Sequence, residues 1–419
     1  MSAKRCASYY NATIKQESDY PELEGDLRVD VAIIGGGFTG VATAVELSEK
    51  GYKVALLEAN KIAWGATGRN GGQVTGSLSG DAAMTKQLRR HLGQDAEDYV
   101  WDLRWRGHDI IKSRVAKYNI DCDLKFGHIQ TAYRPTHMAE LQQMFDEANR
   151  RGMGEFMTLV PEQEMPTYLA SPLYHGGLVN RRNMHLHSVN LCLGEARAAA
   201  SLGAQIFEHS QVLDIQQGEL ATVVTPKGRV KANSVLIAGN AYHKLGRPKL
   251  RGMLFPASLG NCATAQLPAE LAKQLNPQDL AVYDCRFVLD YYRLTADNRL
   301  MFGGGTNYSG RDPKNVAAEL RPAIERTFPQ LKGVDIEFAW AGMAGIVINR
   351  IPQLGKITQN IFYCQGYSGH GVATSHIMAE IMGLAIDGQM REFDLFAAMR
   401  HIRIPLNEWF GNHIIHSKR

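Results

Sequence analysis

The sequence predicts an α/β protein in which two domains interleave along the chain, and three patterns carry that expectation. Residues 29–34 (VDVAII) form a short apolar run that ends in glycines, 39–50 follow with helical periodicity, and 53–58 (KVALLE) return to an apolar run. Strand, tight turn, helix and strand within about 30 residues make a βαβ unit, whose natural outcome is a parallel sheet. Much later, 211–216, 221–225 and 229–240 read as strands, and 286–305 as a hairpin around Asp297-Asn298. Between them 90–170 is mostly helical in pattern and rich in charge. Strands on both sides of a helical insert imply two domains sharing the chain.

Each remaining element has its own signal. Gly51 stands where a helix C′ residue belongs after 39–50, and turns at Gln217-Gly218 and Lys227-Gly228 separate the three later strands. Residues 372–387 read as a helix closed by Gly388.

Composition bounds the function. At 419 residues the chain has room for two or three cores. Hydrophobic residues at 45% and charged residues at 21% are those of an ordinary globular protein, which argues against fibrous, disordered or membrane classes. The net charge of +4 is spread along the chain, so no nucleic-acid footprint is readable. The cysteines Cys6, Cys122, Cys192, Cys262, Cys285 and Cys364 lie far apart and form no CxxC, so neither a zinc site nor a dithiol motif is expected, and no metal. No apolar stretch in residues 1–28 resembles a signal peptide and no run is long enough for a bilayer span, so cytoplasm is the expected address.

The strongest chemical signal is Gly35-x-Gly37-x-x-Gly40 directly after the first strand. Gly35 would make the turn, Gly37 would let backbone approach a pyrophosphate, and Gly40 would let helix and strand pack closely. Free N–H groups and the positive dipole end then favour the anion. Glu58 ends the second strand 23 positions beyond Gly35, where a carboxylate accepts ribose hydroxyls and repels a 2′-phosphate. Two more glycine loops follow. Gly65 to Gln73 holds four glycines in nine residues with Arg69 available for phosphate oxygens, and Gly366-Tyr367-Ser368-Gly369-His370-Gly371 precedes the helix at 372–387. A helix N-terminus aimed at a flavin pyrimidine ring would stabilise the negative charge of the reduced form. Three glycine loops converging on one cofactor fit FAD better than NAD.

The segments DVAIIGGGFTGVATAVELSEKGYKVALLEA, WGATGRNGGQ, NRIPQLGKI and QGYSGHGVATSHIMAEIMG resemble the D-amino-acid-oxidase superfamily of flavoproteins, and within it the bacterial gamma-glutamylputrescine oxidases of polyamine catabolism. The resemblance implies a Rossmann-like FAD-binding domain with a mixed central sheet, interleaved with an antiparallel-sheet substrate domain over the isoalloxazine ring. Its implied layout is an N-terminal extension (1–27), an FAD domain (28–105, 185–250 and 336–400), a substrate domain (106–184 and 251–335) and a C-terminal tail (401–419). The residues matching the FAD pattern are Gly35, Gly37, Phe38, Thr39, Gly40, Glu58, Ala59, Arg69, Asn70, Gly71, Gly72, Gln73, Val212, Gly239, Gly369, His370, Gly371 and Val372. Sarcosine oxidases carry a lysine where this chain has Met301. They also carry a covalent cysteine that finds no counterpart in 286–363, and the Gly65–Gln73 loop has no histidine, so noncovalent FAD is expected.

The implied reaction oxidises a C–N bond of a gamma-glutamylated polyamine, or a related amine or amino acid, to an imine that water hydrolyses, with O2 becoming hydrogen peroxide. A dehydrogenase that hands electrons to a quinone or partner flavoprotein is the alternative that Met301 keeps open, and a flavin-binding protein without turnover is the third. A neutral amine carries its own lone pair, so no dedicated base is obligatory. Candidates near the ring are His370, Tyr291, Tyr292, Arg293 and Trp340, with one of the two adjacent tyrosines expected in the core. A glutamyl carboxylate would need an arginine, and Arg286, Arg293, Arg299 and Arg350 are the available cations. Apart from the small amine and O2 no partner is implied, and the oligomeric state stays open.

Overall fold

The computed structural model describes residues 5–404 apart from Lys244 and Gly246, and within them the chain builds two sheets. The first has eight strands. Its path runs Gln353–Lys356, Ile361–Gln365, Gly228–Ile237, Gly25–Ile34, Val54–Leu57 and Gln205–Phe207, with Ala221–Val224 and Asp214–Gln216 attached beside Gly228–Ile237. The central strands and the edge strand Gln205–Phe207 pair in parallel, whereas Gln353–Lys356, Ala221–Val224 and Asp214–Gln216 pair antiparallel, which makes the sheet mixed. Val31 to Ile34 are all buried, as a continuous apolar run must be when both faces of a sheet are covered.

The helix Phe38–Glu49 is buried over most of its circumference, against the helices Ser188–Ser201 and Gly371–Ile386. Gly51, at φ +83°, reverses the chain behind it. The N-terminal segment straps the two units together. Tyr9 and Tyr10 are buried, the Tyr9 hydroxyl donates to Asp297 at 2.9 Å in the hairpin turn of the second sheet, and Thr13 bonds His187 at the head of Ser188–Ser201.

The second sheet has nine strands, in the path Ile336–Ile346, Phe255–Thr264, Leu300–Asn307, Tyr291–Leu294, Ala281–Asp284, Lys125–Thr131, Gly176–His185 and Gln73–Val74, with Met157–Pro161 beside Gly176–His185. All pairings are antiparallel except one. Ala281–Asp284 runs parallel to Lys125–Thr131, so the expected antiparallel sheet is mixed at that point, where a long crossover supplies the connection that parallel neighbours need.

Three further expectations are corrected by this topology. The stretch 90–170 holds the helices Ala96–Lys117 and His137–Arg150 but also the strands Lys125–Thr131 and Met157–Pro161, whose few apolar positions acquire meaning only from their sheet partners. Residues 336–346, assigned from sequence to the dinucleotide unit, form an edge strand of the second sheet. The boundary at 105/106 falls inside one 22-residue helix that packs along Gly371–Ile386, so Arg106 to Lys117 stay with the first unit. The tail from 405 onward lies outside the described residues. No helix among those described is long and apolar enough to cross a membrane.

Candidate functional site

Where the first strand ends, Gly35 takes φ +115°, and a Cβ there would stand 2.9 Å from the Ala238 carbonyl oxygen. A Cβ on Gly40 would come within 1.9 Å of the Gly35 carbonyl oxygen, so helix and turn touch only because position 40 is bare. Gly37, the N-cap of Phe38–Glu49, has no side chain to cap that end, and the Thr67 hydroxyl accepts only the Phe38 amide, at 3.1 Å. Gly35, Gly37, Phe38 and Thr39 line a cavity of about 1590 Å³. The helix thus presents its positive end to open space, as an anion site requires.

Glu58, Ala59, Val212 and Gly239 line the same cavity. The Glu58 carboxylate accepts the Gly36 amide at 2.7 Å on one oxygen and the Asn60 amide at 2.8 Å on the other. Burial pushes its pKa up, and the two amides oppose that shift by favouring the charged form.

The loop from Gly65 to Gln73 is built by its side chains. Arg69 lies over the Trp64 ring at 4.7 Å and donates to the Trp64 and Ala341 carbonyls, so its fork is engaged by the protein itself. Asn70 donates to Ala66 and Thr67 carbonyls and accepts from Gly72 and Ser188. Gln73 donates to the carbonyls of Val282 and Tyr292, which ties the loop to the second sheet. Arg69, Asn70, Gly71 and Gln73 line the cavity. Gly40 and Gly72 act from behind: Gly72 sits at φ +72°, and a Cβ there would lie 2.3 Å from the Leu186 carbonyl oxygen.

A second helix N-terminus faces the cavity. Gly369, at φ +100°, and the N-cap His370 lead into Gly371–Ile386, again with no side chain capping the end, and Gly369 to Val372 line the wall. Thr39 and Tyr367 hydroxyls bond at 2.5 Å, which locks the two helix ends together. The His370 Nδ1 is buried without a hydrogen-bond partner, and burial holds the ring's pKa below its ordinary value, so it is neutral at pH 7. Bare glycine turns, two helix ends facing the cavity and an orphaned imidazole nitrogen fit a bound dinucleotide carrying a polar ring system.

The four arginines fare differently. Arg286 is held by Asp284 and Asp290 and stacks on Tyr133, and Arg299 is paired with Asp297 and Glu337. Arg293 is buried among carbonyls and does not line the cavity. Arg350, at φ +62°, lines it, and its guanidinium makes no hydrogen bond or ion pair with any described residue. Glu22 and Glu58 are the only carboxylates among the described lining residues. Glu22 is paired with Lys227 and Glu58 sits beside the glycine turn, so Arg350 is a lining cation with no carboxylate partner among the described residues, while Asp81, held by Arg104 behind the wall, acts on His370.

Tyr291 lines the cavity and donates to Asn261 Oδ1 at 3.0 Å, whereas Tyr292 stacks on Phe302 in the core and bonds Tyr174. Trp340 does not reach the cavity. Its Nε1 donates to the Arg69 carbonyl at 3.1 Å and its ring packs on Tyr10, because its strand places it behind the loop. Met301 is likewise buried in the core, not in the cavity wall. Sequence reasoning missed Thr67, Tyr367 and Asn261, which hold the helix ends and Tyr291 in place. Tyr367 stood inside a glycine loop already singled out, whereas Asn261 gave no local signal.

The model of the FAD dependent oxidoreductase (DAO) family matches residues 30–383. Gamma-glutamylputrescine oxidoreductase of Escherichia coli (strain K12) is 38% identical over 402 residues, covering 95% of this chain and 93% of that protein. The probable oxidoreductase OrdL of Haemophilus influenzae is 34% identical, over 94% of this chain and 91% of its own length. Among solved structures, glycine oxidase from Geobacillus kaustophilus superposes with a TM-score of 0.75 at 22% identity, covering 90% of this chain and all of that one, a likeness of fold.

Proposed function

The chain belongs to the DAO family of FAD-dependent oxidoreductases, and on that premise we propose that it oxidises an amine whose far end carries a carboxylate, with a gamma-glutamylated polyamine such as gamma-glutamylputrescine as the fitting substrate. One observation carries this reading: Arg350 lines the cavity that His370 and Tyr291 also line, and its guanidinium has no carboxylate partner among the described residues. A free diamine brings no group that Arg350 could hold. A glutamylated amine brings a carboxylate that Arg350 can take in bidentate fashion.

FAD supplies the two-electron acceptor. The chain's own residues bind and orient. Arg350 fixes the carboxylate, Tyr291 and its Asn261 partner form one wall, and the neutral His370 leaves the amine free of a competing positive charge. The amine reacts in its neutral form: the C–H bond yields two electrons and a proton, the nitrogen lone pair forms the C=N bond as an N–H proton leaves, and water then releases aldehyde and ammonia. Dioxygen takes the electron pair and two protons to give hydrogen peroxide.

The experiment is anaerobic mixing of the yellow protein with a glutamylated polyamine, a free diamine and an N-alkyl amino acid, following flavin absorbance at about 450 nm. Bleaching by the glutamylated compound ahead of the others supports the reading, and bleaching led by the free diamine overturns it. Stoichiometric peroxide on admitting air supports O2 as acceptor, whereas a reduced flavin that persists in air points to a quinone or a partner flavoprotein.

A further inference from the structure

Two arginines of the described chain are buried, and they are compensated in opposite ways. Arg114 donates to Glu195 at 3.0 Å and also pairs with Glu46, so its charge is answered by two carboxylates. Arg293, 3% exposed, meets only neutral acceptors: Nε donates to the Gly71 carbonyl at 2.9 Å, Nη2 to the Leu186 carbonyl at 2.8 Å and the Tyr10 hydroxyl at 3.3 Å, and Nη1 to the Leu294 carbonyl at 3.2 Å. Its cross-strand neighbour is the apolar Met301. His185 and His187 beside it have pKa values lowered to about 3, by burial first and then by the Arg293 charge, so they add no second cation. The nearby Tyr9 hydroxyl is spent on Asp297, which Arg299 already neutralises.

A buried charge without a counter-ion is costly, and such a site persists when another part of the system supplies the opposite charge. Arg293 stands one peptide behind the cavity wall. Gly71, whose carbonyl it holds, lines the cavity, and so does Tyr291, two residues earlier on the same face of the strand. A Cβ on Gly71 would lie 2.6 Å from the Tyr291 ring, so wall and strand are in direct contact.

We propose that Arg293 is a positioning residue whose fixed positive charge stabilises the anionic form of the flavin through the Gly71 wall. Reduction brings two electrons and one proton to FAD at neutral pH, which leaves one negative charge on it. A fixed cation in a dry, low-dielectric place favours that charge without reorganisation when electrons arrive.

Sulfite tests this without any amine substrate. Its sulfur lone pair forms a bond to oxidised flavin N5, and the flavin becomes an anion with no external electron donor. Holoenzymes of the wild type, Arg293→Lys, Arg293→Met and Arg293→Gln would be compared for sulfite Kd and for two-electron midpoint potential. The uncharged variants should raise the sulfite Kd about tenfold or more, equivalent to a potential about 30 mV lower per tenfold at two electrons, while Arg293→Lys stays within about threefold of wild type. Arg293→Gln keeps donors for the Gly71 carbonyl and serves where the Met variant does not fold. An uncharged variant that holds FAD and binds sulfite like the wild type overturns the proposal. So does a Lys variant that loses as much affinity as Met, or that fails to hold FAD along with the other two, since the guanidinium would then act only as a staple. Loss of FAD from both uncharged variants, with Lys loaded and binding sulfite normally, supports it.

Discussion

Glu58 accepts the amide of Gly36 at 2.7 Å, so the acid that ends the second strand also fixes the glycine turn that ends the first. One carboxylate thereby serves two ends of the cofactor site, since a group holding the turn also stands in the cavity wall.

Glu58→Gln keeps the side chain's size but sets an NH2 against one of the two backbone amides that Glu58 now accepts. FAD affinity should fall by about 1.5–3 kcal/mol, the range for hydrogen bonds to a charged group, or one to two decades in Kd. Titration of apoprotein with FAD, followed by quenching of flavin fluorescence, reads this directly. An unchanged Kd would mean that the two amides and any ribose contact tolerate a neutral partner.

Gly40→Ala places a Cβ 1.9 Å from the Gly35 carbonyl oxygen, a backbone atom that cannot move aside cheaply. The variant should purify without flavin and with a lowered Tm. Gly371→Ala is the control, because its Cβ would meet nothing nearer than 3.6 Å. As apoprotein its Tm should match that of the parent apoprotein.

Acid precipitation should release intact FAD into the supernatant. No cysteine lines the described cavity, so no thiolate stands ready to bond the flavin. Yellow colour retained in the pellet after washing would contradict this.

The buried histidines set the acid limit of stability. Burial holds His128, His185 and His187 at pKa values of about 3 against an ordinary 6.5, so between those values the unfolded chain binds protons that the folded chain refuses. The stabilisation is complete above the ordinary value and declines as pH falls towards 3. His108 and His401, which burial lowers to about 4, add to the same loss, at up to about 1.4 kcal/mol per pH unit for each group. Urea midpoints should fall from pH 7.0 to 6.0 and more steeply from 6.0 to 5.5, and His128→Gln should remove about a fifth of that fall.

Much of this site was legible because its parts are local. Gly35, Gly37, Gly40 and Glu58 are tied to one βαβ unit, whose turn geometry is written in a few consecutive residues. Gly369 to Val372 were legible for the same reason, as a glycine loop opening a helix. Arg293 and Trp340 were placed near the chemistry by their neighbours in sequence, yet sheet register turns both behind the loop at 65–73. The alternation of Tyr291 and Tyr292 showed that one must be core, but only the stacking of Tyr292 on Phe302 decides which. Arg350 could not be separated from Arg286 and Arg299 because the partners that neutralise those two, Asp290 and Glu337 among them, are set by tertiary structure.

If Arg350 is the cation that meets the substrate carboxylate, its removal changes which substrates bleach the flavin. The direct measurement is the anaerobic rate of flavin bleaching by gamma-glutamylputrescine and by its carboxamide analogue, in the wild type and in Arg350→Met. The wild type should prefer the acid by one to two decades, the equivalent of about 1.5–3 kcal/mol for a bond between charged groups, and Arg350→Met should erase that preference while leaving the slow amide rate unchanged. A preference that survives in Arg350→Met, or a wild type that treats acid and amide alike, would contradict it.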